Sequence, residues 1–318
     1  MEFALIDRIR RRAATRGDVV LGIGDDAALL QPPPGMLLAV ATDTLNIDVH
    51  FPPDTAPADI GWKALAVNLS DLAAMAARPA WATLSLSLPH AGEQALGGFV
   101  DGFLDGFLAL ADAHGVALVG GDTTRGPLSA CVTVHGFVAA GAALRRDGAQ
   151  AGDDVWVTGT LGDAAAALAQ WRAGGAADPA LRARLDRPQP RVAAGLALSG
   201  IAHAAIDVSD GLLADLGHVC VASGVGAEVG LSELPASVAL REHFDADARA
   251  VVQAGGGDDY ELCFTAAAGE RDALATLAHE VGVQLTRIGR IVPGSGVRAL
   301  RADGSEWLPP RAGYAHFA

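Results

Sequence analysis

The 318-residue sequence predicts a two-domain protein of the α/β and α+β classes, and three observations carry that reading. Strand-type and helix-type hydrophobic patterns are mixed in both halves of the chain, as α/β and α+β folds require. The length is enough for two separate cores. A stretch rich in Gly, Ala and Asp, Asp147–Asp154, lies between the halves and reads as their junction. The expected domains are therefore 1–147 and 148–318.

In the first half, Glu2–Ala14 is helical, with Phe3, Leu5, Ile6 and Ile9 on one face. Leu37–Thr42 reads as a strand that ends in Asp43. Ala58–Ala77 is a long helix, opened by Pro57 and stopped before Pro79. Ala82–Leu88 alternates like a strand. Glu93–His114 is helical, with Phe99, Phe103 and Phe107 at fourfold spacing, which is the pattern of a core stripe. Val116–Val119 and Ala130–Val138 complete the strands of this half.

The second half repeats the style. Strands are expected at Asp154–Thr158, Ala204–Val208, Tyr260–Thr265 and Gln284–Ile291. Helices are expected at Gly162–Ala173, Arg191–Leu198, from Asp210-Gly211 to Ala222, and at Arg271–Val281, with a break at Pro188–Pro190. No solenoid repeat is present.

Composition excludes several functions. Hydrophobic residues make up 51% of the chain, so it has the material for packed cores. No apolar run approaches the roughly 20 residues of a membrane span. Met1–Arg16 is charged and lacks the apolar centre of a signal peptide, so a cytoplasmic protein with no membrane partner is expected. Cys131, Cys220 and Cys263 form no CxxC pair, and buried free thiols are the expectation. The net charge of −14 argues against a nucleic-acid partner, which needs a basic face. Of 23 basic residues only Lys63 is a lysine.

One pattern recurs along the chain. A hydrophobic strand gives way to Gly or a small residue, and an aspartate follows. It occurs at Gly22-Ile-Gly-Asp-Asp26, Ala41-Thr-Asp43, Gly120-Gly-Asp-Thr-Thr124, Asp207-Val-Ser-Asp-Gly211 and Gly255-Gly-Gly-Asp-Asp259. Asp71 adds a further acid inside the helix sequence Ala66-Val-Asn-Leu-Ser-Asp-Leu72. Each loop alone has an ordinary reading as a turn or helix cap. Gathered together, such acids repel: two charges 4 Å apart cost roughly 4 kcal/mol at an effective dielectric of about 20. No basic cluster accompanies the loops. Mg2+, which takes one or two carboxylates with phosphate oxygens and water, is the natural counter-charge.

Rival nucleotide motifs fail. Gly22-Ile-Gly-Asp-Asp-Ala27 matches the dinucleotide fingerprint, but two aspartates occupy the turn and Gln31-Pro-Pro-Pro34 arrives before a helix could form. A P-loop needs a Gly-Lys-Ser/Thr, and Lys63 lies in Trp62-Lys-Ala64. Protein-kinase and serine-hydrolase signatures are absent.

The motifs together resemble the thiamine-monophosphate kinase family. They are Gly22-Ile-Gly-Asp-Asp-Ala27, Ala41-Thr-Asp-Thr-Leu45, His50-Phe51, Lys63-Ala-Leu-Ala-Val-Asn-Leu-Ser-Asp-Leu-Ala-Ala-Met75, Gly120-Gly-Asp-Thr-Thr-Arg-Gly126, Ile206-Asp-Val-Ser-Asp-Gly-Leu212, Gly256-Gly-Asp-Asp-Tyr-Glu-Leu262 and Gly313-Tyr-Ala-His-Phe317. The likeness spans nearly the whole chain. The wider superfamily includes aminoimidazole ribonucleotide synthetase and selenophosphate synthetase. The latter carries a reactive Cys or selenocysteine near its N-terminus, whereas the first cysteine here is Cys131.

The resemblance implies an aminoimidazole ribonucleotide synthetase-like fold whose N-terminal domain binds ATP and Mg2+ and pairs sheets in a homodimer. The C-terminal domain would complete the active site. It implies Asp26, Ala41 (through its carbonyl), Thr42, Asp43, Asp71 and Asp122 as N-terminal metal ligands, and Asp207 and Asp210 as C-terminal ones. Asp43, Asp122 and Asp210 would be the catalytic acids. Gly121, Asp122, Arg146 and Ser209 match nucleotide-contacting positions. His50, Asp258 and Tyr314 match positions that contact thiamine phosphate. Two residues depart from the family pattern: Ala41 replaces a Ser or Thr and lacks its hydroxyl, and Asp258 replaces a Glu.

The implied reaction is transfer of the ATP γ-phosphate to thiamine monophosphate, the last step to thiamine diphosphate, with several Mg2+ ions and K+ as a further candidate. The acceptor monoester carries about −1.5 to −2 charge at neutral pH and needs no general base. Two other readings stay open at this stage: another ATP-dependent member of the superfamily, and a non-catalytic metal- or nucleotide-binding protein.

Overall fold

The structure, a computed structural model, describes residues 2–311, 313 and 314, without the side chains of Glu2, Phe3 and Ala4. Phe3 of the N-terminal helical face and Ala315–Phe317 of the C-terminal motif lie outside what is described. Two compact units result: residues 1–72 with 77–141, and residues 73–76 with 142–318.

The first unit is built on a four-stranded sheet of order β3-β6-β4-β5. Its strands are β3 (Met36–Asn46), β4 (Arg78–Leu88), β5 (Ala117–Arg125) and β6 (Ser129–Ala139). β6 is antiparallel to both neighbours, while β4 and β5 run parallel. A parallel pair needs a crossover, and α3 (Glu93–Ala113) supplies it. With α2 (Pro57–Ala74), α3 buries the apolar material of this unit. Phe103 and Phe107 are fully buried and stack at 6.0 Å, so these two are core as expected, while Phe99 is half-buried. Truncating either ring would cost about 3–5 kcal/mol. The hairpin β1 (Val19–Leu21) and β2 (Leu29–Leu30) contributes Val19 and Leu30 to a second cluster with Trp81 and Phe137. The helix α1 (Glu2–Arg12) is tied to α3 by ion pairs from Arg8 to Asp101 and Arg12 to Asp105.

Two expected boundaries are corrected here. Asp43 does not end its strand, because β3 continues to Asn46 in register with Ser129 of β6. Gly120–Thr124 is likewise strand and not loop, since β5 stays paired with β4 as far as Arg125. In both cases polar residues occupy an edge strand, where hydrogen bonding to one neighbour suffices and side chains need no burial.

The second unit is a seven-stranded sheet of order β13-β12-β9-β11-β7-β10-β8. Its strands are β7 (Asp154–Thr158), β8 (Ala202–Asp207), β9 (Gly226–Gly230), β10 (Leu262–Ala266), β11 (Leu285–Val292), β12 (Gly296–Leu300) and β13 (Glu306–Trp307). Only the β9–β12 pair is parallel. The helix α7 (Leu212–Ser223) buries Leu212, Leu216 and Val219 against Val155, Val157, Ile206 and Ile288. A smaller core joins α4 (Asp163–Arg172), α5 (Pro179–Asp186) and α8 (Val238–His243) through Ala166, Leu181, Leu185 and Leu240. The sequence reading did not foresee α5. Its start is a local signal nonetheless: Asp178 caps the amides of Ala180 and Leu181, and Pro179 takes the first helical position. The remaining helices are α6 (Val192–Leu198), α9 (Ala246–Gly255) and α10 (Arg271–Val281).

Among the described residues no helix is long and apolar enough to cross a membrane. Cys220 and Cys263 are buried, and burial pushes the Cys220 thiol up to about 11. Cys131 corrects the expectation for its class: it is only half-buried, on β6.

Candidate active site

In the second unit, three segments far apart in sequence meet at one end of the sheet. β8 delivers Asp207 at its C-terminus, and the Val208–Gly211 turn leads into α7. The segment before β10, Gly256–Tyr260, runs beside that turn. Asp258 N–H donates to Ser209 O at 2.9 Å and Tyr260 N–H to Val208 O at 2.8 Å; Val208 N–H returns a bond to Glu261 O at 2.8 Å. The third segment is the C-terminal tail, where Tyr314 N–H donates to Asp210 O at 3.0 Å. The segments that carry Asp207, Ser209, Asp210, Asp258 and Tyr314 are therefore brought together.

Close backbone approach explains the glycines of these motifs. A Cβ on Gly257 would lie 2.4 Å from Ser209 O, and one on Gly211 would lie 2.9 Å from the Gly255 carbonyl carbon. Only glycine lets the two loops touch. Asp258 and Tyr260 also adopt left-handed backbone, with φ of 68° and 50°. Such conformations cost a non-glycine residue of order 1–3 kcal/mol and persist only where the surroundings impose them. The Tyr260 hydroxyl donates to Asp258 Oδ1 at 3.1 Å and fixes the carboxylate's direction.

Asp215, in the first turn of α7, was not foreseen as a site residue. Its carboxylate accepts the amides of Ser209, Asp210 and Gly211 at 3.0–3.1 Å and so shapes the whole turn. Burial, then the nearby charge of Asp207 and that of Asp210, push it up to about 7, against the lowering effect of the amides. The three acids thus lie close enough to feel one another. The available signal was an acid four residues beyond a glycine that opens a helix. Arg146 is on an exposed stretch whose neighbours are fastened elsewhere: Arg145 O accepts Ala205 N–H, and Arg146 O accepts the Ser223 hydroxyl. Among the described residues its guanidinium contacts none of the other predicted site residues.

In the first unit, β3 and α2 meet through Asn68, whose Oδ1 accepts Asp43 N–H at 3.0 Å. Asp71 lies one helical turn further along α2, so Asp43 and Asp71 sit on adjoining elements. Ala41 shares the face of Asp43, opposite the buried Val134. Thr42 points the other way, with its hydroxyl bonded to Val132 O at 3.1 Å and to the Thr133 hydroxyl at 3.0 Å. Asp26 is exposed in the Gly22–Asp26 loop, its amide held by Asp25 Oδ1 at 2.9 Å. His50 closes a turn in which its Nδ1 accepts Asn46 N–H at 3.0 Å, leaving the proton of the neutral ring on Nε2. Lys63, fully buried, donates to His50 O at 3.0 Å and holds that turn from within.

Asp122 is not near Asp43. The two occupy opposite edge strands, β5 and β3, separated by three inter-strand spacings, about 14 Å. They also face opposite sides: Asp43 is in register with buried Val132, and Asp122 with exposed Ser85. Gly121, at φ 148°, turns the strand just before Asp122. Among the described residues no three His, Cys, Asp or Glu side chains form a closed metal cage.

Comparison with known proteins places this arrangement. Residues 24–138 match the family described as AIR synthase related protein, N-terminal domain, and residues 150–301 match its C-terminal domain. The thiamine-monophosphate kinase of Salmonella typhimurium (strain LT2) is 48% identical over 328 residues, covering 100% of this chain and 98% of that protein. The thiamine-monophosphate kinase of Escherichia coli (strain K12) is 46% identical over 327 residues, with the same coverage. Among solved structures, thiamine-monophosphate kinase from Stenotrophomonas maltophilia K279a superposes with a TM-score of 0.88 at 58% identity, covering 96% of this chain and 98% of that one. The structure of AaThiL complexed with AMPPCP and TMP gives a TM-score of 0.78 at 31% identity, covering 99% and 97%. By sequence, domain content and fold, this chain belongs to the AIR synthase related family and, within it, to the thiamine-monophosphate kinases.

Proposed function

We propose that this enzyme transfers the γ-phosphate of ATP directly to the phosphate of thiamine monophosphate, giving thiamine diphosphate. The observation that carries the reading is the convergence of Asp207–Gly211, Gly256–Tyr260 and Gly313–Tyr314, three motif segments far apart in sequence. Relatives of this name and a solved relative holding an ATP analogue with TMP support it.

The acceptor phosphate is already ionised and serves as nucleophile without deprotonation. The work left to the protein is to bring two polyanions into line and to offset their charge. Asp26, the Ala41 carbonyl, Thr42, Asp43, Asp71 and Asp122 of one unit, and Asp207 and Asp210 of the other, are the groups that would hold Mg2+. The donor set is all oxygen, the ligand type that Mg2+ takes together with phosphate oxygens and water. Burial first, and then the charges of Asp207 and Asp210, raise Asp215, so a cation held by those two acids would offset part of the repulsion. When bound, Mg2+ supplies charge neutralisation for the phosphates and the transition state. Ser209, Gly121 and Arg146 would contact the nucleotide. His50, Asp258 and Tyr314 would contact the thiamine ester.

We further read the first unit as the dimerising one. On the face of its sheet away from Asp43, β3 exposes Leu38 and Val40. Apolar groups grouped in this way mark a contact surface. The deciding experiment incubates the purified protein with ATP, Mg2+ and thiamine monophosphate. Formation of thiamine diphosphate is expected; ATP hydrolysis without it would overturn the reading.

A further inference from the structure

Glu261 lies directly after the Gly256–Tyr260 loop, and its side chain is completely buried. A buried carboxylate needs partners. This one has three. It accepts the Thr158 hydroxyl of β7 at 2.6 Å, Arg184 Nη2 of α5 at 2.6 Å, and Arg191 Nε and Nη2 as a two-pronged fork at 2.6 and 2.5 Å. Thr158 is a relay, because its oxygen also accepts Leu262 N–H at 2.8 Å. Two residues earlier, the Asp259 carboxyl is buried as well and accepts Gly162 N–H at the start of α4, at 2.9 and 3.1 Å. Side chains 259 and 261 therefore anchor the segment from inside, while Asp258, between Gly257 and Asp259, stands in left-handed backbone beside Ser209.

We infer that Glu261 is a positioning residue: by gripping Thr158, Arg184 and Arg191 it holds the strained Gly256–Tyr260 loop in the one conformation that presents Asp258 to the phosphate acceptor. The inference rests on the functional reading above for the identity of that acceptor. Its basis in geometry is independent of it. An ordinary structural ion pair would tie helices to the sheet anywhere along β10 (Leu262–Ala266). Here the grip is applied at the residue where the strand begins and the strained loop ends, so loosening it acts on the loop first.

The test uses Thr158→Val, which deletes the hydroxyl's bonds to Glu261 and from Leu262 N–H, and Arg191→Lys, which keeps the charge and loses the fork. Thr158→Ser is the conservative control, and Glu261→Gln the direct variant where it folds. Native-state hydrogen exchange should show the Asp258 and Tyr260 amides exchanging about tenfold faster in the first two variants, with β9 and β11 amides protected as in wild type. The KM for thiamine monophosphate should rise about tenfold, the loss of one hydrogen bond's worth of alignment, with the KM for ATP within about twofold. Thr158→Ser should restore both readouts. Uniformly faster exchange with an unchanged acceptor KM would make the cluster merely structural and overturn the inference. Exchange needs no substrate. A wild-type protein that transfers no phosphate while the variants loosen the loop selectively would therefore sink the functional reading and leave the inference standing; active wild type with unaltered exchange and KM in the variants sinks the inference alone.

Discussion

Asp258 N–H donates to Ser209 O at 2.9 Å, and with the bonds of Tyr260 N–H to Val208 O and Val208 N–H to Glu261 O it fastens the two acidic loops of the second unit to each other. Gly257 sits at that junction, where any Cβ would press on Ser209 O at 2.4 Å. Gly257→Ala must push the loops apart. Overpacking against backbone costs about 1–3 kcal/mol. The melting temperature should fall by roughly 2–10 °C on that basis, and kcat/KM for thiamine monophosphate should fall with it. Calorimetry and steady-state kinetics on the same preparation check both. An alanine variant equal to wild type in each would mean that the contact relaxes without consequence.

Much of this was legible in the sequence because the signals are local. Helical periodicity located α2, α3 and α10 within a few residues, and Gly-Asp dipeptides located both loops of the second unit. What the sequence hid depends on pairing. Asp43 and Asp122 looked like strand-end residues because polar side chains interrupt an apolar run. Edge strands tolerate polarity, so β3 and β5 continue through them. Glu261 was passed over for the opposite reason. An acid between Tyr260 and Leu262-Cys-Phe264 reads as the last polar residue of a loop, and only the fold shows Arg184 and Arg191 arriving from 70 or more residues away to meet it.

The separation of Asp43 from Asp122 has a consequence for the metal chemistry. Chelation of Mg2+ should abolish turnover, and Asp43→Asn or Asp122→Asn should each cut kcat by about 10²-fold, the scale of losing one fixed group that stabilises transition-state charge. At about 14 Å and on opposite faces, the two carboxylates do not serve one ion within a chain. If the dimer forms and both serve one site, they come from different chains. Mixing the two inactive variants should then restore about a quarter of wild-type activity, since half the dimers are mixed and each mixed dimer has one intact site. No recovery after verified subunit exchange would mean that each acid acts in its own chain.

Transfer should proceed without a phosphoenzyme. No serine, cysteine or histidine in the converging segments is paired with a base: Ser209 contributes its backbone to the Asp258 and Asp215 contacts, and Cys263 is a buried thiol raised by desolvation. Kinetics with both substrates varied should give intersecting lines, and ATP labelled in the γ-phosphate should leave no label on the protein in the absence of acceptor. Ping-pong kinetics or trapped label would refute direct transfer.

Tyr314 separates the two substrates most cleanly. Its backbone is fixed, with N–H donating to Asp210 O at 3.0 Å, while its side chain remains 49% exposed. A half-exposed aromatic ring on a backbone fastened to Asp210 can offer one face to a ligand. A thiazolium is a cationic ring, and an aromatic face within reach of it contributes roughly 0.5–2 kcal/mol. Tyr314→Ala should therefore raise the KM for thiamine monophosphate by about two- to thirtyfold, with little change in the KM for ATP. Tyr314→Phe should retain most of the effect of tyrosine, because the ring and not the hydroxyl faces the charge. His50→Ala should behave like Tyr314→Ala, while Arg146→Ala should weaken ATP instead. The measurement is a pair of saturation curves for each variant, with circular dichroism to verify folding. Should Tyr314→Ala leave the acceptor KM unchanged in a folded enzyme, the ring only shields the Asp210 carbonyl from water, and recognition of the thiazolium falls to His50 and Asp258.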